Sequence, residues 1–236
     1  MKQRLGRHVW GFMVVCALVV ATGRAAETPK ADAGVRYIYL IRHGMYDRQD
    51  NVDDRVGNAL NALGHEQAML VGKRLAALPV KMSMLVSSDY TRARETADDM
   101  GQTLGMVPAR DSLLHECTPT TERADIVRDH TPAEFAACDA NLQAAWEKYV
   151  RPSPERDTHD VLVCHGNVIR WFASKSVKND TRNWSAMDIG NASITVIAVR
   201  ADGTTRLVMY SDVGHLPVEK MTWTGRGAGW TAKPAR

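Results

Sequence analysis

A short apolar run that ends in Arg42-His43-Gly44 constrains the fold more than any other stretch of this chain. Residues 35–46 read VRYIYLIRHGMY, and Val, Ile, Leu and Tyr dominate the part before the charged pair. A continuous apolar run of this length is typical of a buried strand in a parallel sheet. Open α/β sheets bind ligands at the carboxyl ends of such strands, so the run predicts a site directly after it.

The Arg-His-Gly tripeptide indicates a chemistry for that site. A guanidinium holds phosphate oxygens in a fork, an imidazole nitrogen can act as a nucleophile, and glycine lets the backbone turn tightly. Together they favour a phosphate held against a nitrogen nucleophile. On the tripeptide alone an alternative is equally good: Arg42 pairs with a nearby carboxylate and His43 is a structural histidine.

Two later apolar runs also end in polar residues. The run MSMLV precedes Ser87 and Ser88, with Arg92 a little beyond, and the run VLVC at 161–164 precedes His165. The strand ends of one parallel sheet meet in one crevice, so we expect these side chains to join Arg42 and His43. Since the sequence holds no ligand set at the usual spacings for zinc, a phosphate pocket is favoured over a metal site.

Apolar spacing predicts the remaining elements of an α/β fold. Asn61 is the expected N-cap of a helix that runs to residue 78, where Pro79 stops it. Further helices are expected over residues 89–105, 132–150 and 168–176. Residues 192–200 and 204–211 alternate strongly and are joined by Ala201-Asp202-Gly203, which predicts a β-hairpin. Apart from the helix at 132–150, the region 107–160 is less regular.

Length and charge limit the class of protein. The 236 residues suffice for one sizeable domain, and 44% apolar with 24% charged residues is ordinary globular usage. Four of the basic residues behind the net charge of +3 lie in the first 26 positions, which hold no acid. The rest has 26 basic and 27 acidic residues, so a nucleic-acid partner is not expected.

The first 26 residues have the pattern of a targeting segment. Lys2, Arg4 and Arg7 precede an uncharged stretch at 9–23, and small residues follow it. This predicts a signal peptide with export to the periplasm or secretion, the alternative being a retained membrane anchor. The predicted organisation is then a linker over 27–34, the domain over 35–215 and a C-terminal tail over 216–236.

Three cysteines follow this segment, an odd number that excludes a complete disulfide framework. In an oxidising compartment Cys117 can pair with Cys138. Cys164 lies beside His165 and could be taken for a nucleophile, but it is expected to pack as a small apolar residue at a strand end.

Three motifs in sequence order establish a family resemblance. Leu-Ile-Arg-His-Gly occupies residues 40–44, Ser-Ser-x-x-x-Arg-Ala-x-x-Thr-Ala residues 87–97, and Cys-His-Gly-Asn residues 164–167. The chain thereby resembles the phosphoglycerate-mutase-like branch of the histidine phosphatase superfamily. This resemblance implies a three-layer α/β/α fold with a mostly parallel central sheet, followed by the C-terminal hairpin. Within that branch, the chain resembles the mitochondrial protein Ser/Thr phosphatases most. It shares further residues with them at positions 42–46, 165–170, 191–195 and 212–214.

The resemblance also implies roles for five residues. Neutral His43 would attack phosphorus and carry the phosphoryl group, while Arg42, Arg92 and a protonated His165 hold the phosphate oxygens. Glu116, in a Leu-x-Glu context, would protonate the leaving oxygen and later take a proton from water. Without the resemblance Glu116 would be taken for a solvated loop carboxylate. No metal and no cofactor is implied.

Three functions stay open at this point. The first is a metal-independent, acid-type histidine phosphatase that hydrolyses phosphomonoesters through a phosphohistidine, on phosphoserine or phosphothreonine of proteins. The second is a small-molecule phosphatase for a sugar or other metabolite, and the third is a phosphate-binding module without turnover. Mutase activity is not expected, because the Trp-Asn pair of the mutases is missing after His43. The expected partner is a phosphorylated protein or a small phosphomonoester. Contact with a membrane is expected only if residues 1–26 are retained. Assembly into a homo-oligomer is left open.

Overall fold

A six-stranded mixed sheet forms the centre of the protein. The computed structural model describes residues 34–153 and 155–223, which belong to one compact unit. The strands are β1 (Arg36–Arg42), β2 (Met84–Ser87), β3 (Ala109–Arg110), β4 (Thr158–Cys164), β5 (Ile194–Val199) and β6 (Thr205–Asp212).

The strand order across the sheet is β3-β2-β4-β1-β5-β6. The first four strands in this order are parallel to their neighbours, whereas β5 runs antiparallel to β1 and to β6. The expected α/β fold with a mostly parallel sheet and a C-terminal hairpin is therefore confirmed.

Helices cover both faces of the sheet. They are α1 (Ala62–Ala76), α2 (Thr91–Leu104), α3 (Ala124–Val127), α4 (Pro132–Tyr149) and α5 (Gly166–Ser176), with 3-10 turns at Ser112–Leu114, Thr181–Ala186 and Val218–Lys220. Successive side chains of a strand point to opposite faces, so β1 contributes to two separate cores. Ile38 and Leu40 pack with α4 and α5, and Tyr39 and Ile41 pack with α1 and α2.

The register of β1 against β4 determines where the polar strand ends lie. Both strands are central and buried on both faces, which explains their continuous apolar sequences. Arg42 pairs with Cys164 across the two parallel strands, and the His43 backbone N–H donates to the Cys164 carbonyl at 3.0 Å. The next residues, His43 and His165, consequently leave the sheet side by side.

Side-chain caps begin two of the helices. Asn61 accepts a hydrogen bond from the Gly64 backbone N–H at 2.9 Å, as expected for the N-cap of α1. Thr131 and Glu134 form a reciprocal capping box at the start of α4. Both helices therefore begin where the sequence predicts, whereas α1 ends at Ala76, short of the predicted residue 78.

Two close glycines fix the turn that follows β1. A β-carbon on Gly44 would lie 2.5 Å from the Gly64 carbonyl oxygen, and one on Gly64 would lie 2.0 Å from the Met45 carbonyl oxygen. No side chain fits at these distances, so the backbone after His43 packs directly on the first turn of α1.

Several sequence predictions lie wholly or partly outside the described residues. These are the targeting segment at 1–26, nearly all of the linker at 27–34 and the tail beyond residue 223. The described part of the tail packs on the domain, since Thr222 accepts a hydrogen bond from the Asn191 backbone N–H at 2.9 Å. Among residues 34–153 and 155–223, the helices are too short or too polar to traverse a bilayer.

Candidate active site

The ends of β1 and β4 bring two histidines into contact. His43 follows β1, and His165 follows β4 at the N-terminus of α5. Both side chains are buried, and their ring centroids lie 5.2 Å apart. The predicted meeting of these two imidazoles is what the geometry shows.

A backbone contact selects the tautomer of His43. Its Nδ1 lies 2.8 Å from the carbonyl oxygen of Gly44, which can only accept, so Nδ1 carries the hydrogen. Nε2 of the neutral ring is then left with its lone pair. Burial and the cations Arg92 and Arg42 hold the pKa of His43 well below its usual range, so this nucleophilic form persists at neutral pH.

His165 is oriented by the end of β2. Its Nε2 lies 2.9 Å from Ser88 Oγ, which itself accepts the Tyr90 backbone N–H at 3.2 Å. The serine hydroxyl can donate to Nε2, and in that arrangement Nδ1 carries the ring hydrogen of His165. Among the described residues, this buried Nδ1 has no hydrogen-bond partner.

The protein groups around His165 oppose its protonation, so the expected protonated state stays a prediction for the phosphate-bound site. Burial, followed by the charge of Arg92, keeps the pKa of His165 well below its usual range. Two buried cations and a second imidazole surround the ring, so a further positive charge is unfavourable. The neutral ring still offers one N–H donor.

Arg42 and Arg92 supply the positive charge of the site. The buried Arg42 donates from Nη1 to the Ile189 carbonyl at 2.6 Å. Burial lowers its pKa to about 10, so it remains a cation at neutral pH. Arg92 Nη1 binds Asp54 Oδ1 at 2.6 Å, and its buried Nε has no partner within the described residues.

Glu116 lies on the segment that follows the 3-10 turn Ser112–Leu114. Its Oε1 accepts the backbone N–H of Asn167 at 3.1 Å, so it is tied to the first turn of α5. Burial raises the pKa of Glu116, against the opposing charges of Arg92, Arg170 and Arg42. Glu116 is therefore partly buried and tied to α5 while it lines the cleft.

A cleft of about 1120 Å³ contains four of the five predicted site residues. Arg42, His43, Arg92 and Glu116 line it, and His165 lies beneath them in contact with His43. The five predicted residues thus come together in one place. Among the described residues there is no group of three His, Cys, Asp or Glu side chains that could hold a metal ion.

Several residues of the site were not identified from the sequence. Tyr46 and Tyr90 face the Arg92 guanidinium, with ring centroids 4.9 and 5.4 Å from its central carbon. Asp54 holds the same arginine, and Asn167 and Arg170 flank Glu116. The sequence signals for the last two are the motif at 164–167, which ends in Asn167, and the matched stretch 165–170.

Of the three cysteines in the described residues, two form a disulfide and one is a free thiol. Cys117, next to Glu116, is disulfide-bonded to Cys138 of α4. Cys164 is a buried free thiol whose pKa burial raises, so it is protonated and unreactive at neutral pH.

Comparison with known proteins identifies the class. The sequence profile of the histidine phosphatase superfamily (branch 1) matches residues 38–121 and 118–212. The chain belongs to this superfamily.

A curated relative and two solved structures agree with this class. The mitochondrial serine/threonine-protein phosphatase Pgam5 of Caenorhabditis briggsae is 35% identical over 211 residues, which cover 87% of this chain and 72% of the relative. A phosphoglycerate mutase from Plasmodium falciparum is 25% identical with a TM-score of 0.56, over 81% of this chain and 99% of its own. A mycobacterial glucosyl-3-phosphoglycerate phosphatase in complex with inorganic phosphate is 25% identical with a TM-score of 0.53, and the match covers 77% of this chain and 100% of the other.

The prediction of export is contradicted by these comparisons. The Pgam5 relative is named as a mitochondrial protein, not as a periplasmic or secreted one. A basic start before an apolar stretch occurs in more than one kind of targeting segment, so the pattern at residues 1–26 did not distinguish between destinations.

Proposed function

We propose that the protein is a phosphatase that hydrolyses phosphoserine and phosphothreonine in proteins through a phosphohistidine on His43. The hydrogen bond from His43 Nδ1 to the Gly44 carbonyl carries the proposal, because it leaves the Nε2 lone pair for attack on phosphorus. The similarity to a serine/threonine-protein phosphatase supports the class of substrate.

The first step transfers the phosphoryl group to the enzyme. The Nε2 lone pair forms a bond to phosphorus while the bond from phosphorus to the substrate oxygen breaks. Glu116, whose pKa burial raises, gives its proton to the departing oxygen. Arg42, Arg92 and the N–H of His165 hold the remaining phosphate oxygens as their charge is redistributed.

The second step returns the enzyme to its starting state. The Glu116 carboxylate takes a proton from water as the water oxygen bonds to phosphorus. The bond between phosphorus and Nε2 breaks, inorganic phosphate leaves, and Glu116 is protonated again. This cycle uses no metal ion, and it needs an acidic Glu116 beside a neutral His43, which supports the description as an acid-type phosphatase.

The test combines turnover with trapping of the intermediate. The wild-type protein should hydrolyse p-nitrophenyl phosphate in the presence of EDTA and retain ³²P on His43 after acid-free quenching. His43→Ala should lose both, whereas the control His65→Ala should keep both, since His65 pairs with Asp99 on the outer side of α1 and α2. Full activity in His43→Ala would refute the mechanism.

A substrate panel tests the protein-phosphatase part of the proposal. Phosphoserine and phosphothreonine peptides should give a higher kcat/KM than sugar phosphates and other small phosphomonoesters. A preference for the metabolites would contradict the assignment to protein substrates.

The location and partners follow from the same comparison. We infer a mitochondrial location from the name of the relative. The near-neutral charge of the chain after residue 26 supports the absence of a nucleic-acid partner. Sedimentation of the full chain would show whether it forms a homo-oligomer.

A further inference from the structure

Arg170 is fixed at the edge of the active site by protein contacts. Its Nε donates to the Gly166 carbonyl at 3.2 Å, Nη1 to the Met187 carbonyl at 3.1 Å and Nη2 to Asn167 Oδ1 at 2.5 Å. Its central carbon also lies 4.7 Å from the ring centroid of Trp184. Each of the three guanidinium nitrogens therefore binds a protein oxygen.

Asn167 connects Arg170 to the segment that carries Glu116 through hydrogen bonds. Since Arg170 occupies its Oδ1, the amide must present Nδ2 on its other side, where it donates to the Cys117 carbonyl at 2.8 Å. The Asn167 backbone N–H binds Glu116 Oε1 at 3.1 Å. One asparagine thus holds both the carboxylate and the backbone of the next residue.

Trp184 provides a second connection between Arg170 and the same segment. Its indole N–H donates to the Pro119 carbonyl at 3.1 Å, and its ring lies against the Arg170 guanidinium. The segment after Glu116 is therefore held at two points, both of which contact Arg170.

We propose that Arg170 is a positioning residue that acts through Asn167 to hold Glu116 where it protonates the leaving oxygen. This inference depends on the proposed function, because it requires Glu116 to be the acid. Arg170 also lines the cleft, but its contacts with Gly166, Asn167 and Met187 fix its guanidinium against the segment that carries Glu116, and the experiment below separates this role from phosphate binding.

The charge of Arg170 has a separate and measurable effect. The charged groups that face Glu116 are Arg92, Arg170 and Arg42, and the uncharged Cys164 thiol also lies near it. Arg170 favours the carboxylate and so lowers a pKa that burial raises. Its removal should move the alkaline limb of the pH profile to higher pH.

Substrates with different leaving groups distinguish positioning from phosphate binding. An alkyl phosphate such as a phosphoserine peptide needs protonation of its leaving oxygen, whereas p-nitrophenolate departs without it. Arg170→Met should lower kcat/KM for the peptide by about 100-fold, the scale of general-acid catalysis, and that for p-nitrophenyl phosphate by less than about threefold. Asn167→Ala should show the same selectivity, and the inhibition constant of inorganic phosphate should stay unchanged.

Controls separate this effect from misfolding and from failure of the proposed function. Arg206→Met, at an exposed position on β6, should leave both substrates unaffected. Retained ³²P labelling of Arg170→Met by p-nitrophenyl phosphate shows that the variant is folded. Equal losses on both substrates, with weaker phosphate inhibition, would overturn the positioning role. If the wild type itself forms no phosphohistidine, the proposed function fails instead.

Discussion

Arg42 and Cys164 are register partners on adjacent parallel strands, and this pairing places the residues that follow them on one side of the sheet edge. His43 and His165 then face each other with 5.2 Å between their ring centroids. A shift of one residue in the register of β1 against β4 would turn one imidazole toward the opposite helix layer. The active site therefore depends on the same backbone pairing that stabilises the centre of the sheet.

The pH dependence of kcat/KM should be bell-shaped, with one limb set by His43 and the other by Glu116. The first step needs neutral His43, so kcat/KM should rise through a pKa below 6.5, the usual value for histidine. It also needs protonated Glu116, so kcat/KM should fall through a pKa above the usual 4.5 for glutamate. Steady-state kinetics on a phosphoserine peptide measure both limbs. Glu116→Gln should lose the falling limb, and a falling limb that persists would assign it to another group.

Arg92 should not be replaceable by lysine. Its Nη1 binds Asp54, and its buried Nε is free, within the described part of the chain, to bind a phosphate oxygen. A lysine ammonium can occupy only one of these positions, so Arg92→Lys should lower kcat/KM by about 100-fold and weaken inhibition by vanadate. Arg94→Lys on the same helix, where the arginine binds Thr91 at 3.3 Å, should change neither. Similar losses in both variants would point to a general effect on α2.

The disulfide should contribute to both stability and activity. Cys117 and Cys138 are 21 positions apart, and a cross-link of this span stabilises by about 3 kcal/mol. Cys138→Ser should lower the free energy of unfolding in urea by about this amount. It should also lower the peptide kcat/KM, because Cys117 directly follows Glu116. Reductant should reproduce both effects in the wild type and add nothing to Cys138→Ser. An unchanged kcat/KM would show that the disulfide has no part in holding Glu116.

The close packing at Gly44 and Gly64 predicts that one added methyl group at Gly64 lowers both stability and activity. Gly64→Ala would place its β-carbon 2.0 Å from the Met45 carbonyl oxygen, so the backbone after His43 must move. We expect a loss of about 3 kcal/mol in stability and a large loss of kcat. The comparison is Gly203→Ala, where φ is +80° but no atom lies within 4 Å of the new methyl group. That variant should lose about 1 kcal/mol and retain its activity.

The sequence could predict the sheet and the residues at its strand ends. Val161 and Leu162 belong to a strand that is buried on both faces and therefore reads as a continuous apolar run, and the motifs around His43 and His165 mark where such runs stop. The partners of these residues could not be predicted in the same way. Asp54 and Trp184 reach the site from irregular segments, and their contacts depend on tertiary packing that leaves no period in the sequence.

The electrostatic environment of His165 could not be predicted from the sequence for a related reason. Its pKa reflects the burial of the ring and the nearness of Arg92, which lies far from it in sequence. A motif gives the identity of the side chain and not the electrostatic environment that the other strands create around it.

The strand order has a consequence for synthesis on the ribosome. The sheet neighbours of β1 are β4 and β5, and both are translated more than 100 residues after it. While a chain emerges from its amino end, β1 has no partner to pair with, and Arg42 and His43 remain outside any formed sheet. We therefore expect the nascent protein to lack phosphatase activity until β4 has left the exit tunnel and inserted between β2 and β1. Slow closure of such long-range contacts makes this insertion the expected bottleneck of folding.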